Sequence, residues 1–457
     1  VPMVSDAIRA GSRVTLEIDG FAVGGVGVGH LEGRAIFVPR TIPGETVVAK
    51  IVHIGRRKIT AEAERIIRQS PDRIQPACPV FGRCGGCQLQ QVAYPAQPPL
   101  KLRLLLDALR SVAGFEPESE PEIMSAPDPF GYRNRGQYPV ARHGKRVVTG
   151  FFALRSHRVV AVDRCLIHDP RVDRAVACVR AWAAGKRIAV YDEKRHTGWL
   201  RHIAARAAGG SNQVLVTLVV RDERRQDWRD LLRRLRGCLP GLAGLTLNIN
   251  GARTNVIFGK RGSNLWGAGR IAERFMGLDL LLAPQSFFQV NSCQAEKLFG
   301  LALDFLADAD GPVVDAYCGV GVLALLLARA GRAAVGIESN PAAVCDARRA
   351  ADFNGISRTT FHEGTVEKIL PRLVKDGLSP AAVILDPPRK GCAPQVLQAL
   401  VAARPRKIAY ISCHPGSLAR DLMRLFEAGY QLERLVAVDM FPQTAHLEVF
   451  AGLKLAD

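Results

Sequence analysis

At 457 residues the chain is too long for one ordinary core and long enough for roughly two to four domains. Its 62 Lys and Arg against 43 Asp and Glu leave a formal net charge of +19, which makes a polyanion, nucleic acid, the leading partner class. Hydrophobic residues at 48% and charged residues at 23% exclude wholesale disorder, and no stretch approaches the ~18–20 apolar residues of a membrane span.

Residues 1–11 show no basic segment leading into an apolar run, so no secretory signal is read there. From about Gly11 to Ser70, apolar and polar positions alternate with glycine punctuation. Residues 14–18, 35–38 and 46–52 read as short strands, with Pro43-Gly44 as a turn, and predict a small closed barrel. The glycine-rich run 24–29 looks like a phosphate-cradling loop, but no helical pattern follows it. A hairpin crossing with close backbone approach is the expectation.

A cysteine-rich loop, 78–87, comes next. A helix is predicted over 100–112, with Leu102, Leu105, Leu106 and Leu109 on one face. Residues 116–122 are acidic and proline-broken, and read as a solvated linker. Between Tyr132 and about Arg270, strand-like runs (214–220 and 245–250) alternate with helices. One of these sets Trp228, Leu231, Leu232 and Leu235 at helical spacing among many arginines, which reads as a core stripe with a basic outer face. The last third changes character. Apolar strands at 313–315, 334–337, 382–385 and 407–411 alternate with Ala/Leu-rich helices and predict a parallel, doubly wound sheet covered on both faces.

Chemistry gathers where those last strands end. Asp315-Ala316-Tyr317-Cys318-Gly319-Val320-Gly321 follows the first, and its glycines let the backbone turn tightly against a ligand. Glu338 closes the next strand, where a carboxylate can take both hydroxyls of a ribose. The pair looks like the first two motifs of class I S-adenosylmethionine-dependent methyltransferases. Asp386-Pro387-Pro388-Arg389 frames the third strand end and suits a planar nitrogenous acceptor. Ser412-Cys413-His414-Pro415 puts a thiol at the fourth. A thiolate adding to C6 of a uracil turns the weakly nucleophilic C5 into a carbon able to attack a sulfonium methyl. Glu448 is the candidate base for the C5 proton that must then leave.

The eleven cysteines lack regular disulfide spacing and favour reduced thiols and a cytoplasmic location. Cys78, Cys84 and Cys87, with Gly85-Gly86 between the last two, form a ligand-like group, and Cys165 is the best remaining fourth thiol. Four thiolates fit either an iron–sulfur cluster or structural zinc.

Taken together and in order, Cys78-x5-Cys84-Gly85-Gly86-Cys87-Gln88, Ser286-Phe287-Phe288-Gln289-Val290-Asn291, Asp315-Ala316-Tyr317-Cys318-Gly319, Asp386-Pro387-Pro388-Arg389, Ser412-Cys413 and His446-Leu447-Glu448 resemble the RNA uracil-5-methyltransferases, specifically the branch acting on 23S ribosomal RNA. The resemblance implies an α/β protein in three parts. These are an oligonucleotide-binding-like TRAM β-barrel (1–70), a central α+β iron–sulfur domain (71–275, with about 96–125 packing on the catalytic part), and a Rossmann-like class I methyltransferase domain (276–457). It implies S-adenosyl-L-methionine as methyl donor and a [4Fe-4S] cluster on Cys78, Cys84, Cys87 and Cys165. It further implies Cys413 as nucleophile, Glu448 as base, and cofactor contacts from Gln289, Tyr317, Gly319, Glu338, Thr365 and Asp386.

Phe287 and Phe288 are candidates to stack on RNA bases. The expected partner is RNA, most of all 23S ribosomal RNA, with no membrane and no obligate protein partner. The sequence departs from the family at Val322, where Asn is frequent, at His414, where Asn is common, and at Tyr317 in place of a frequent Phe. Two other readings stand beside this one: methylation of a transfer RNA uridine, and an iron–sulfur RNA-binding protein with a degenerate catalytic domain.

Overall fold

The computed structural model describes residues 8–56, 58–224 and 226–456. Most of the segment examined for a secretory signal, 1–7, lies outside the described residues. The alternating N-terminal strands β1 (Arg13–Ala22), β2 (Val26–Leu31), β3 (Arg34–Pro39), β4 (Thr46–Ile54) and β5 (Ile59–Arg68) close into a five-stranded barrel in the order β1-β2-β3-β5-β4. Its inward residues, among them Leu16, Ile18, Ile36, Val47 and Ile51, are buried together. The glycine run is the crossing of β1 over β2. A Cβ on Gly27 would lie 2.1 Å from Thr41 Oγ1, and one on Gly29 would lie 2.5 Å from the Glu17 carbonyl oxygen. β2 escaped the sequence reading because glycine alternates with its apolar residues and erases the strand signal.

Helix α1 (Gln97–Ala108) continues as a wider turn over Leu109–Ala113 that Gly114 ends at φ 60°. The acidic linker then yields to a short strand, β6 (Glu122–Met124), which the linker reading did not anticipate because its pairing partner lies some 310 residues on.

The central part is a seven-stranded mixed sheet in the order β13-β12-β11-β10-β7-β8-β9. Its strands are β7 (Arg135–His143), β8 (Arg146–Phe152), β9 (Val159–Ala161), β10 (Leu200–Ala207), β11 (Val214–Val220), β12 (Leu242–Ile249) and β13 (Arg261–Gly267). Helices α2 (Pro170–Gly185) and α3 (Arg229–Cys238) pack on it through Val179, Trp182, Leu231 and Leu235. Trp228 sits 5.9 Å from both Trp182 and Trp199, ring centre to ring centre, and anchors the start of α3. A hairpin, β14 (Ile271–Phe275) and β15 (Leu278–Leu282), follows, and the boundary drawn at 275/276 falls within it.

The last part alternates helix and strand: α4 (Ser292–Phe305), β16 (Val313–Ala316), α5 (Val322–Arg329), β17 (Ala334–Glu338), α6 (Pro341–Phe353), β18 (Thr359–Glu363), α7 (Val366–Lys375), β19 (Ala382–Leu385), α8 (Pro394–Ala403), β20 (Lys407–Ser412), α9 (Pro415–Glu427), β21 (Tyr430–Val438) and β22 (Glu448–Leu455). The sheet order is β18-β17-β16-β19-β20-β22-β21-β6, parallel from β18 to β20, with β22 antiparallel between β20 and β21. Strands buried on both faces need apolar residues at every position, which is why they read as unbroken apolar runs. One face is covered by α4, α5, α6 and the β14–β15 hairpin. The other is covered by α7, α8, α9 and α1, whose Leu102 and Leu105, with Leu109 of the turn that follows, are fully part of that core. The order reverses beside β16, and there the carboxyl ends of β16, β17, β19 and β20 open into one crevice.

Candidate active site

The crevice is a cavity of about 1050 Å³. It is lined by Gln289, Tyr317, Gly319, Glu338, Thr365, Asp386, Cys413 and Glu448, by Phe287 and Phe288, and by Cys78, Cys84, Cys87 and Cys165.

On the β16 side, Gly319 (φ 55°) and Gly321 (φ 78°) take left-handed conformations, and Tyr317 shares them at φ 67°. The turn closes through Gly321 N–H donating to the Cys318 carbonyl (2.8 Å) and Cys318 N–H donating to the Ile337 carbonyl (3.0 Å). Glu338 is locked at the next strand end, accepting from Gly319 N–H (3.1 Å) and Asn340 N–H (2.6 Å). Asp315 is buried beneath the turn and accepts from Ala324 N–H (3.1 Å). Burial chiefly holds its carboxyl up to about 8. Thr365 stands at the start of α7 without a capping bond from its side chain. Glycines free to turn, a fixed carboxylate one strand away and a polar rim are a donor set that fits a nucleoside carrying a methyl sulfonium.

On the β20 side, the register decides the chemistry. Ile411 pairs with Phe450 and Ser412 with Val449, and at the end of this ladder Cys413 and Glu448 line the same cavity, near enough for Glu448 to perturb the thiol. Asp386 ends the neighbouring β19. Three acids thus share one crevice, and like charges that are poorly solvated resist ionising together. Burial, then Glu448 and Asp386, push the Cys413 thiol up to about 12, while Arg389 opposes the shift. Glu448 is raised well above the carboxylate range by burial and by Asp386. Asp386 is raised to about 7 by burial and by Glu338. Arg389 also faces His446, Nη2 to Nδ1 3.3 Å, and burial, then Arg389, hold that imidazole neutral, down at about 4. His414 caps α9 by accepting from Ser417 N–H (3.2 Å), a task Asn performs equally well, which accounts for that departure.

The segment carrying Gln289 is held from both sides, by the start of β7 and by α6. Asn134 donates to the Gln289 carbonyl (3.0 Å), Arg135 donates to the Pro284 carbonyl (2.7 Å), and the Ser286 hydroxyl donates to Asp346 (2.6 Å). Phe288 is not free to receive a base. It is 5% exposed and packs edge-on against Phe275 at 5.2 Å, because successive side chains of an extended segment point to opposite sides. Phe287, 56% exposed, faces the opening.

All eleven cysteines are free thiols. Cys78, Cys84, Cys87 and Cys165 are near enough that burial and one another's charge raise Cys87 to about 11 and Cys165 to about 12. Among the described residues, however, no three His, Cys, Asp or Glu side chains converge as a metal-holding group. The donor chemistry of these four thiols nevertheless suits a four-thiolate centre.

A family model for tRNA (uracil-5-)-methyltransferases matches residues 109–456, the span that carries every element of this crevice outside the cysteine loop. The chain belongs to this family. An uncharacterised RNA methyltransferase of Gloeobacter violaceus is 41% identical over 99% of both chains. Another, from Listeria monocytogenes, is 36% identical over 99% of this chain and 100% of its own. Among solved structures, the Pyrococcus abyssi tRNA (uracil-54, C5)-methyltransferase in complex with S-adenosyl-L-homocysteine superposes with a TM-score of 0.77 at 27% identity, covering 96% of this chain and 99% of that one. As a member of this family the chain is an S-adenosylmethionine-dependent RNA methyltransferase.

Some residues of this methyltransferase were not singled out for these roles in the sequence. Arg389 was seen only as the end of a motif, although it is the cation facing Cys413, Glu448 and His446. Asn134, Arg135 and Asp346, which fix the Gln289 segment, carry no local signal, since each acts on a stretch at least sixty residues away.

Proposed function

We propose that the protein methylates C5 of a uridine in RNA through a covalent Cys413–C6 adduct, with Glu448 taking the C5 proton. The observation that carries this reading is that Cys413 and Glu448, which flank the Ser412–Val449 pair, line one cavity with Asp386. The Cys413 thiol gives its proton to solvent and its sulfur bonds C6, the C5–C6 electron pair moving to leave C5 as an enolate carbon. S-adenosylmethionine, when bound, supplies the methyl group that C5 takes. Glu448, which must first give up to solvent the proton that burial favours on it, then removes the proton from C5 as carboxylate, the C5–C6 double bond re-forms, and the Cys413 thiolate leaves.

Gln289, Tyr317, Gly319, Glu338, Thr365 and Asp386 hold the methyl donor in this reading, and Phe287 stacks on an unpaired base. A uridine in folded RNA hides its C5–C6 edge, so the base enters the crevice flipped out. We assign 23S ribosomal RNA as the first substrate, supported by the cysteine motif and by the N-terminal barrel, read as a TRAM domain. A transfer RNA uridine is the second reading, favoured by the similarity to the Pyrococcus abyssi enzyme. Cys78, Cys84, Cys87 and Cys165 are assigned to a [4Fe-4S] cluster. It would hold the central domain together and supply no electron, since the transfer needs none.

Transfer of labelled methyl from S-adenosylmethionine by anaerobically purified protein, onto undermodified 23S ribosomal RNA and transfer RNA in parallel, tests both levels. Label in 5-methyluridine of ribosomal RNA supports the first substrate, and label in transfer RNA alone replaces it with the second. Full activity of Cys413→Ala would overturn the mechanism.

A further inference from the structure

Glu448 has no hydrogen-bond partner for its carboxyl among the described residues; burial and nearby charges alone perturb it. Its backbone therefore sets where it reaches. On one side that backbone is β22, in register with β20 and β21. On the other it is the loop 439–447, and this loop is tied to the cysteine loop.

The ties are specific. Gln88, the residue after Cys87, donates from Nε2 to the Gly85 carbonyl (2.9 Å) and accepts at Oε1 from Ala445 N–H (3.3 Å). The N–H groups of Gln88 and Leu89 both donate to the Gln443 carbonyl, at 3.1 and 3.0 Å. Gln443 sits at φ 69°, a conformation that a side chain with a Cβ rarely adopts and that persists only when its surroundings hold it. Gln97 supplies part of that hold: its Oε1 accepts from Gln443 N–H (2.9 Å), and its Nε2 donates to Gln443 Oε1 (3.0 Å) and to the Val92 carbonyl (2.9 Å). The barrel closes over the same spot, where a Cβ on Gly25 would lie 2.7 Å from Gln88 Cβ and 3.3 Å from Ala445 Cβ.

We propose that Gln88 is a positioning residue for Glu448: its side chain straps the Cys84–Cys87 run to the backbone three residues before the base. The inference rests on Glu448 being the base. It separates the steps of the reaction, because Cys413 addition and methyl transfer do not need Glu448, whereas proton removal and release of Cys413 do. Loosening the strap should therefore slow release and leave the earlier steps intact. A strap that only stabilised the fold would lower stability or RNA affinity and would not stall the reaction after methylation.

The experiment follows labelled methyl in the full-length protein on substrate RNA, scoring first-turnover transfer, RNA affinity, and the fraction of label in a protein–RNA adduct that survives a denaturing gel. Gln88→Met is expected to slow product release roughly five- to tenfold, the worth of about one hydrogen bond, with adduct accumulating and RNA affinity within about twofold of wild type. Gln97→Met, which loosens the same loop away from the Cys84–Cys87 run, is expected to behave alike and serves if Gln88→Met does not fold. Gln88→Glu, which keeps the acceptor for Ala445 N–H, should fall between wild type and Gln88→Met. Glu448→Gln marks the fully stalled state. Adduct in Glu448→Gln but none in the Gln88 and Gln97 variants overturns the positioning role alone. No adduct in Glu448→Gln removes the base and this inference with it.

Discussion

Lys101 of α1 and Asp439, the residue after β21, form an ion pair of 2.5 Å with both side chains fully buried, 338 residues apart in the chain. Lys101 also donates to the Phe441 carbonyl (3.0 Å), and Tyr94 donates to the second oxygen of Asp439 (2.9 Å). Burial lowers the Lys101 pKa while Asp439 opposes that shift. Removing the lysine leaves a carboxylate in the core. Lys101→Met is expected to destabilise the protein by about 3–5 kcal/mol, and Lys101→Met with Asp439→Leu to recover part of that loss. Urea unfolding midpoints of the three proteins check this.

If Asp386 holds the methyl donor as proposed, it should connect cofactor binding to pH. Its carboxyl is held up at about 7 by burial and by Glu338, so below that value it is largely protonated in the free protein. A sulfonium beside it favours the ionised form, so S-adenosylmethionine should bind more tightly as pH rises from about 6 to 8, releasing protons on binding and fewer of them at the higher pH. S-adenosylhomocysteine, lacking the sulfonium charge, should show a flatter profile. Calorimetry at several pH values measures both, and equal slopes for the two ligands would count against Asp386 as the cofactor-facing acid.

The Cys413 thiol, pushed up to about 12, is protonated in the resting protein. Because the thiolate is the reactive form, alkylation of Cys413 should climb about tenfold per pH unit from pH 7 to 10 with no plateau. Glu448 is one cause of the shift, so Glu448→Gln should react faster than wild type at any pH in that range. Mass spectrometry of the Cys413 peptide after timed iodoacetamide exposure reads the rate; a plateau near pH 8 would contradict the electrostatic account.

Phe287 and Phe288 should part company on mutation. Phe287→Ala is expected to weaken RNA binding by the ~1–3 kcal/mol of one lost base stack while leaving S-adenosylmethionine affinity unchanged. Phe288→Ala removes a core ring packed on Phe275 and should cost roughly 3–5 kcal/mol of stability. RNA titrations beside denaturation curves distinguish them. The same titrations repeated from 50 to 200 mM salt should show affinity falling steeply, given the net charge of +19.

By itself the sequence determined the elements whose signal is local. Three of the five barrel strands, the doubly wound sheet and the glycine, proline and cysteine motifs at its strand ends were legible, because side-chain period, turn residues and strand-end chemistry are written within a few residues of one another; β5 was not read. Even there, alternating glycines hid β2, and the acidic linker hid β6, whose strand exists only through its pairing with β21. Only the tertiary structure decided which residues meet. The β20–β22 pairing brought Cys413 and Glu448 into one cavity, two extended neighbours were split into a core Phe288 and an open Phe287, and Gln88, Gln97 and Lys101 were tied to a loop more than 330 residues away. Such pairings depend on packing and register between distant segments, and no local pattern of residues encodes them.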